Sequence, residues 1–387
     1  MDEMLSRTGR FKEMKPTDYA FVDMRIPEFQ RDVSYFREAL GPHYAGVLLD
    51  HGFNATPVWT LIGKPLAQTV PASDTGLLLL ALLDPLLIAA MLLAIAWAFG
   101  LETMLLSLIY LALLFGAGFG WTGGGFLRTP WLAALVGAVC CLRRQHHATA
   151  GVLLAAASLL RVFPILFALP LLLRGIAFTR RQRQLPRHYR ALLVGFGATA
   201  AVLLALTALL PRGFAHWSDF RSGISRYVEV VSPNLVGLTP ILAYRGGPSE
   251  VGHEEFRKIQ ARQNAIHRVQ LWLVVLPLLA LVAKAVPRIR EVTACTLGIP
   301  LLFASLNMAA YYYAFLLLLV LVNGHHPGRL ALIFATEAVS YSLMFFEDRD
   351  GTLHVYRSLL IALLLLALYA KPLRERVAGV RRQNVSD

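Results

Sequence analysis

The chain has few charged residues for its length. Of its 387 residues, 16% are Asp, Glu, Lys or Arg, while 56% are hydrophobic and the mean hydropathy is +0.56. A water-soluble domain of ordinary composition has about 25% charged residues. The composition therefore excludes an ordinary soluble globule and indicates an integral membrane protein.

The sequence also lacks several signatures of chemistry. Its three cysteines, Cys140, Cys141 and Cys295, lie within apolar segments, where cysteine behaves as a small buried hydrophobe. The histidine pairs at 146–147 and 325–326 are adjacent residues and lack the spacing of a metal site, so we expect no metal. The stretch GWTGGGF lacks the Lys and Ser or Thr of a nucleotide-binding loop, and we expect no cofactor.

The positive charge that is present lies in short connectors. The formal net charge is +13, but the Lys and Arg residues separate apolar runs and do not form one interleaved basic surface. This distribution argues against nucleic acid as a partner and is typical of a membrane-orientation signal. We expect the short basic connectors to face the cytoplasm, and they are 143–147, 174–190, 284–290, 323–329 and the tail 373–387.

Apolar runs of helix-spanning length recur along most of the chain and predict an all-α, polytopic membrane protein with about ten helices. A polar N-terminal region, 1–52, precedes a transmembrane domain, 53–372, whose long connector 211–269 is expected outside the membrane. The run 53–72 is short and contains Lys64, so it is expected to be re-entrant or interfacial. The other runs are 75–100, 103–118, 129–142, 148–174, 190–210, 270–286, 292–322, 329–346 and 355–371.

Two of these runs are predicted to bend. As a straight helix, 292–322 would be roughly 46 Å long, against a hydrocarbon core of about 30 Å. The run 148–174 has basic connectors on both sides and carries Arg161 and Pro164 near its middle. If both connectors are cytoplasmic, this run must enter and return. We therefore expect bends at 161–164 and 305–313, both on the same far side as the connector 211–269.

Arg161 is the strongest candidate residue. An arginine at membrane depth costs about 2.5 to 3.5 kcal/mol on insertion scales and usually has an anionic partner or reaches water. It could extend to the interface from a helix end, pair with Asp84, or bind a phosphate group at the outer face. Asp84 precedes Pro85 and could instead only kink its helix and form a hydrogen bond.

The external segments offer further candidates. The connector mixes aromatic side chains with Arg221, Asn234 and Arg245, which suits a sugar and a phosphate but also an ordinary solvated loop. Tyr311 follows the second bend and could contact a substrate or anchor the chain at the interface. The acids that could abstract a proton, or be solvated surface charges, are Asp18, Asp23, Asp32, Asp50 and Glu229.

Four motifs, in this order, carry a resemblance to a known family. They are RDVSYF, with Asp32; FNATPVWTLIGKPLA, with Asn54; AGVLLAAASLLRVFP, with Arg161; and PNLVGL, with Asn234. From about residue 30 to 345 the chain resembles the polyprenol-phosphate-sugar-dependent glycosyltransferases of the type C fold, most closely glycosyltransferase family 87. In that family lysine is common at the position of Arg161, and a serine stands within the last motif, where this chain has none.

The resemblance implies an inverting transfer of a sugar, mannose in our expectation, from a polyprenyl-phosphate donor to a glycan or glycolipid acceptor. The base would be Asp32, with Asp23 as the alternative, at the periplasmic face of a bacterial plasma membrane. The expected contacts to the donor phosphate and substrate are Arg161, Asn54, Arg221, Asn234, Arg245 and Tyr311. The family's first membrane helix is not found before residue 53, so an external Asp32 requires a helix upstream of Met1 or another route.

Two other classes of protein fit the same sequence features. A secondary transporter also uses broken helices with polar residues at the break, although such transporters usually contain internal repeats and none is evident here. Another lipid-linked glycan enzyme, such as a polymer ligase, would share the phosphate site at the outer face.

Overall fold

The computed structural model describes residues 26–44, 55–117, 126–229, 234–245, 253–347 and 350–370, and about 84% of it is helical. The chain divides into two compact units. The first comprises residues 1–53 and 64–80, and the second comprises residues 54–63 and 81–387. The expectation of an all-α membrane protein is confirmed.

The first unit contains α1 (Ile26–Leu40), the second half of α2 (Pro57–Thr69) and most of α3 (Asp74–Ala81). The Tyr35 hydroxyl of α1 donates a 2.5 Å hydrogen bond to Asp74 at the start of α3. This hydrogen bond raises the pKa of Tyr35. Asp32 lies half-buried on α1, one turn before Tyr35.

The second unit begins with the first half of α2 and continues from the end of α3. Its next helices are α4 (Leu83–Phe99), α5 (Leu101–Leu113), α6 (Pro130–Arg143), α7 (His147–Leu160), α8 (Ile165–Gln182), α9 (Arg187–Leu206) and α10 (Ala215–Glu229). Then follow β1 (Leu235–Val236), α11 (Leu238–Ala243), α12 (His253–Gln270), α13 (Leu276–Ala285), α14 (Glu291–Thr296), α15 (Gly298–Ser305), β2 (Met308–Ala309), α16 (Leu317–Asn323), α17 (Pro327–Leu343) and α18 (Asp350–Leu365). Short 3-10 and π turns extend several of these helices, at 115–117, 207–209, 271–275, 286–288, 310–316 and 366–370.

Four helical stretches are long and apolar enough to cross a membrane. They are Asp74–Phe99, Arg187–Leu209, Ala261–Arg288 and Gly351–Ala370. The other apolar helices are shorter, so the expected count of about ten membrane helices is not confirmed. Helix α2 has 13 residues. At about 1.5 Å per residue it is too short to cross a hydrocarbon core of about 30 Å.

Helices α7 and α9 pack closely because two glycines lie at their crossing. A Cβ atom on Gly151 would overlap the backbone carbonyl oxygen of Leu192, and one on Gly195 would overlap that of Ala148. Lipid chains are as apolar as the side chains, so helices in a membrane associate through such close packing. The small residues therefore fix the position of α7, which carries Arg161 at its end.

We expect Gly151→Ala to destabilise the protein, because the added methyl group can be accommodated only by moving two backbones apart. Overpacking of this kind costs about 1 to 3 kcal/mol. Gly197→Ala on α9 is the matched control, since a Cβ there meets open space. In a helix interior it should be neutral or stabilise by up to about 1 kcal/mol. Denaturant titration in detergent micelles checks both, and equal effects would contradict the crossing argument.

Three of the basic connectors meet at one end of the second unit. His147 at the start of α7 forms a 2.8 Å contact with Glu291, which also lies 3.5 Å from His188. Arg174 of α8 donates to the Tyr189 hydroxyl at 2.6 Å and to the carbonyl oxygen of Val286 at 2.8 Å. The connectors 143–147, 174–190 and 284–290, which the charge pattern assigns to a common side, are thus adjacent in space.

Candidate functional site

A cavity of about 500 Å³ lies in the second unit, where the two predicted bends and the connector meet. This volume is within the range of small-molecule sites. Its walls are mostly apolar, with polar side chains at a few positions. The lining residues are Thr56, Arg161, Val162, Phe163, Ile165, Leu166, Phe220, Ile224, Leu235, Gln263, Asn264, His267, Ser305, Leu306, Asn307, Met308, Ala309 and Tyr312.

The first bend is present where the sequence predicts it. Helix α7 ends at Leu160, residues 161–164 form a turn, and α8 begins after Pro164. Proline lacks the N–H that a continuing helix would donate to the carbonyl oxygen of Leu160. The buried Thr56 hydroxyl contacts that oxygen at 3.3 Å and donates to the carbonyl of Leu159 at 2.7 Å. Thr56 therefore satisfies helix-end carbonyls that the break leaves free.

The second bend is also present and is tied to the connector. The run ends its first helical part at Ser305, passes through β2, and resumes as a 3-10 turn at Ala310. Strand β2 pairs antiparallel with β1, with Val236 opposite Met308. The Ala310 N–H donates to the carbonyl oxygen of Asn234 at 2.9 Å, and the Tyr313 hydroxyl donates to that of Val236 at 3.1 Å. Hydrogen bonds to the connector thus keep the backbone of the second bend extended.

Arg161 is a cation in the cavity wall without an ion pair among the residues that the structure describes. Its guanidinium lies 5.5 Å from the centroid of the Tyr312 ring, a cation–π distance. Tyr312 packs on Phe163 at 5.3 Å, and Phe163 packs on Trp131 at 4.9 Å between ring centroids. The cavity lining contains no carboxylate within the described parts of the chain. The wall therefore presents a positive charge beside aromatic rings with no fixed counter-charge.

Asp84 is not the partner of Arg161, which removes one alternative for that residue. Its carboxylate accepts hydrogen bonds from the N–H groups of Arg128 at 3.0 Å and Thr129 at 2.8 Å, and from the Thr129 hydroxyl. These donors precede α6, whose first residue is Pro130. Asp84 thus forms hydrogen bonds within the fold, which is the alternative role that the sequence analysis gives for it.

Polar side chains of α12 also line the cavity. Gln263, Asn264 and His267 are three and four residues apart and so share one helix face. His267 Nδ1 lies 3.2 Å from the Thr239 hydroxyl oxygen, which donates to Gln270 Oε1 at 2.9 Å. Ser305 Oγ and Asn307 Oδ1, at the second bend, are buried atoms without a hydrogen-bond partner among the described residues.

The other sequence-predicted residues that the structure describes are not among those lining the cavity. Tyr312 lines it, whereas Tyr311 packs against the Tyr312 ring at 4.4 Å, and a substrate contact by Tyr311 stays a prediction. Arg221 and Arg245 are exposed and absent from the lining, and Asn234 takes part through its backbone carbonyl.

None of the candidate acids is among the described residues that line the cavity. Asp32 belongs to the first compact unit, and Glu229 is the last residue of α10. Three further acids lie outside the described residues: Asp18, Asp23 and Asp50. The predicted substrate contact Asn54 also lies outside them. The assignment of the base therefore stays a prediction.

Sequence reasoning missed His267, Gln263, Asn264 and Thr56 as lining residues. A signal for the first three existed, because their helical spacing marks a polar stripe just before the apolar run 270–286. Thr56 had no such signal, since only the break beside Pro164 gives its hydroxyl a role. No cluster of three or more His, Cys, Asp or Glu side chains in the described ranges suits a metal ion.

A second polar group lies buried away from the cavity lining. Glu337 of α17 and Arg357 of α18 are each 1% exposed, and Arg357 Nη2 lies 3.4 Å from Glu337 Oε2. Glu337 also accepts from the Tyr110 hydroxyl at 2.9 Å and from the Phe115 N–H at 3.1 Å. The guanidinium stacks 4.9 Å from the Phe115 ring centroid, while its Nε and Nη1 atoms have no hydrogen-bond partner in the described parts of the chain. The ion pair and the Tyr110 hydrogen bond together join α5, α17 and α18.

No protein-family model matches the chain, and neither a curated protein nor a solved structure shows significant similarity to it. Its site must therefore be interpreted from its own geometry.

Proposed function

We propose that the protein is a membrane glycosyltransferase that moves a sugar, mannose in our expectation, from a polyprenyl-phosphate donor to a hydroxyl of a glycan or glycolipid acceptor. The observation that carries the proposal is Arg161, a cation without an ion pair among the described residues, in the wall of a mostly apolar 500 Å³ cavity. A lipid phosphate provides the two groups that this wall can bind, an anion and an adjoining apolar chain.

The proposed chemistry follows from the position of the positive charge. The acceptor oxygen forms a bond to the anomeric carbon as the bond from that carbon to the phosphate oxygen breaks. The acceptor proton passes to a carboxylate base, and the departing lipid phosphate takes the bonding electron pair. A fixed cation stabilises the charge that develops on this phosphate, and such groups are most effective where water is excluded. Arg161 is the residue proposed for that role.

The transfer needs no nucleotide, because the donor's phosphate is already joined to the lipid. The absence of a nucleotide-binding motif from the sequence agrees with this proposal. We further propose a type C-like arrangement in a bacterial plasma membrane with the cavity open to the periplasm. The short basic connectors meeting at one end of the second unit support a cytoplasmic position for that end.

We propose Asp32 as the base, and a transfer assay tests it. Purified protein is supplied with synthetic polyprenyl-phosphate mannose and a panel of glycan acceptors, and covalent transfer is measured. We expect Asp32→Asn to lower the transfer rate by about 10² to 10⁴-fold, the usual contribution of a general base. Asp23→Asn tests the alternative, and Glu38→Gln, an exposed change on the same helix, is the matched control.

Other results would decide between protein classes. Transfer that survives Asp32→Asn, Asp23→Asn and the double variant would show that neither aspartate is the base. Accumulation of the lipid-linked sugar inside proteoliposomes without a covalent product would favour a transporter. Extension of a lipid-linked polymer in preference to transfer of a single sugar would favour a ligase.

A further inference from the structure

We infer that His267 is a hydrogen-bond acceptor for a hydroxyl of the ligand's polar group, held in one tautomer by Thr239 and Gln270. The inference rests on the proposed function, because it assigns the sugar end of a ligand whose phosphate end binds Arg161. Both residues line the same cavity. The tautomer of the neutral imidazole follows from the hydrogen bonds around it.

The Gln270 amide is the first side-chain group in the chain of hydrogen bonds that reaches His267. Its Nε2 group donates to the backbone carbonyl oxygen of Ala304, which can only accept. This fixes the amide orientation, so Oε1 must be the atom facing the Thr239 hydroxyl, 2.9 Å away. Gln270 is 2% exposed and lies on α12 one turn after His267. A buried carbonyl therefore sets the direction of the first hydrogen bond.

The direction of this hydrogen bond determines the direction of the next one, between Thr239 and His267. The Thr239 hydroxyl has one proton, which it donates to Gln270 Oε1, so its oxygen can only accept from His267 Nδ1, 3.2 Å away. A neutral imidazole protonated at Nδ1 has a free lone pair on Nε2. Thr239 is fully buried on α11, so water does not compete for its oxygen. The chain of bonds thus leaves Nε2 of a cavity-lining residue as an acceptor.

An acceptor at this position selects a class of ligand group. A hydroxyl can donate to Nε2, whereas an ether, a phosphate oxygen or a hydrocarbon cannot. The cavity's titratable lining residues are Arg161, Tyr312 and His267, so within the described lining no carboxylate competes for the hydroxyl. Ser305 and Asn307, whose buried oxygens are unpartnered, lie in the same lining. A sugar presents several hydroxyls to such a surface.

The test separates the two ends of the ligand by measuring affinity, without turnover, for two probes: farnesyl phosphate and mannosyl farnesyl phosphate. In the wild-type protein we expect the mannose to tighten binding. His267→Phe should remove most of this added affinity, roughly the tenfold of one net hydrogen bond, and leave farnesyl phosphate binding unchanged. Thr239→Val, which keeps the shape but removes the accepting oxygen, should remove part of it. Arg161→Met should weaken both probes.

A second measurement does not depend on packing. In protein labelled with ¹⁵N-histidine, the resonance lost in His267→Phe identifies this residue, and its shifts should report a proton on Nδ1. Thr239→Val should shift that signal toward the Nε2-protonated form.

The outcomes are distinguishable. Equal weakening of both probes by His267→Phe, or a proton found on Nε2 in the wild-type protein, would overturn the role of His267. Failure of farnesyl phosphate to bind at all would instead contradict the proposed function.

Discussion

Arg161→Met should lower the rate of sugar transfer by about 10² to 10³-fold, the loss seen when one donor to a developing negative charge is removed. The same change should weaken the binding of farnesyl phosphate by about 1.5 to 3 kcal/mol, the range for a hydrogen bond to a charged group. No other lining residue of the described cavity carries a permanent positive charge, so nothing nearby replaces the guanidinium. Calorimetry in detergent and a single-turnover transfer assay measure the two effects.

Arg161→Lys discriminates charge from geometry. Lysine keeps the positive charge but lacks the planar fork of the guanidinium, so we expect intermediate affinity for the phosphate. Arg190→Gln, an exposed change on α9, is the control for the loss of one positive charge elsewhere and should leave binding as in the wild type. Retention of wild-type farnesyl phosphate affinity by Arg161→Met would show that the phosphate is not bound there.

The position of Arg161 illustrates which structural features the sequence could predict. Chain length and charge parity predicted breaks at 161–164 and 305–313, because apolar runs longer than a bilayer must bend if their flanks share one side. Both breaks are observed, and both line the cavity. These predictions succeeded because hydropathy and loop charge act through the chain itself, with no need for knowledge of tertiary contacts.

The rest of the site depends on contacts that no single segment contains. The β1–β2 pairing joins residues more than seventy positions apart and fixes the second bend. The 3-10 turn places the Tyr312 ring against the Arg161 guanidinium. The tautomer of His267 depends on a carbonyl from another helix. Such features arise from packing, and local pattern alone cannot specify them.

The ion pair between Glu337 and Arg357 is another contact that the hydropathy of the apolar runs does not predict. Each residue lies in an apolar run whose hydropathy predicts a membrane helix, and the sequence pattern does not pair them. In the fold, Glu337 accepts three hydrogen bonds, from Tyr110, Phe115 and Arg357. A charge at 1% exposure is stable only because its partner is there.

Glu337→Gln should therefore lower the free energy of unfolding by about 3 to 5 kcal/mol, the usual loss when one partner of a buried pair is removed. The change leaves the Arg357 guanidinium buried with no counter-charge and with the Phe115 ring as its main contact. Glu102→Gln, at the exposed start of α5, is the matched control and should change stability by less than about 0.5 kcal/mol. Denaturant titration in detergent micelles, followed by tryptophan fluorescence, measures both.

A double variant separates the charge from the packing. If the destabilisation comes from an uncompensated charge, Glu337→Gln combined with Arg357→Met should be more stable than Glu337→Gln alone, because the second change removes the orphaned cation and keeps an apolar side chain in its place. If the two losses instead add, the side chains stabilise the three-helix junction by packing. In that case the electrostatic explanation fails although the junction itself stands. A Glu337→Gln protein as stable as the wild type would contradict both.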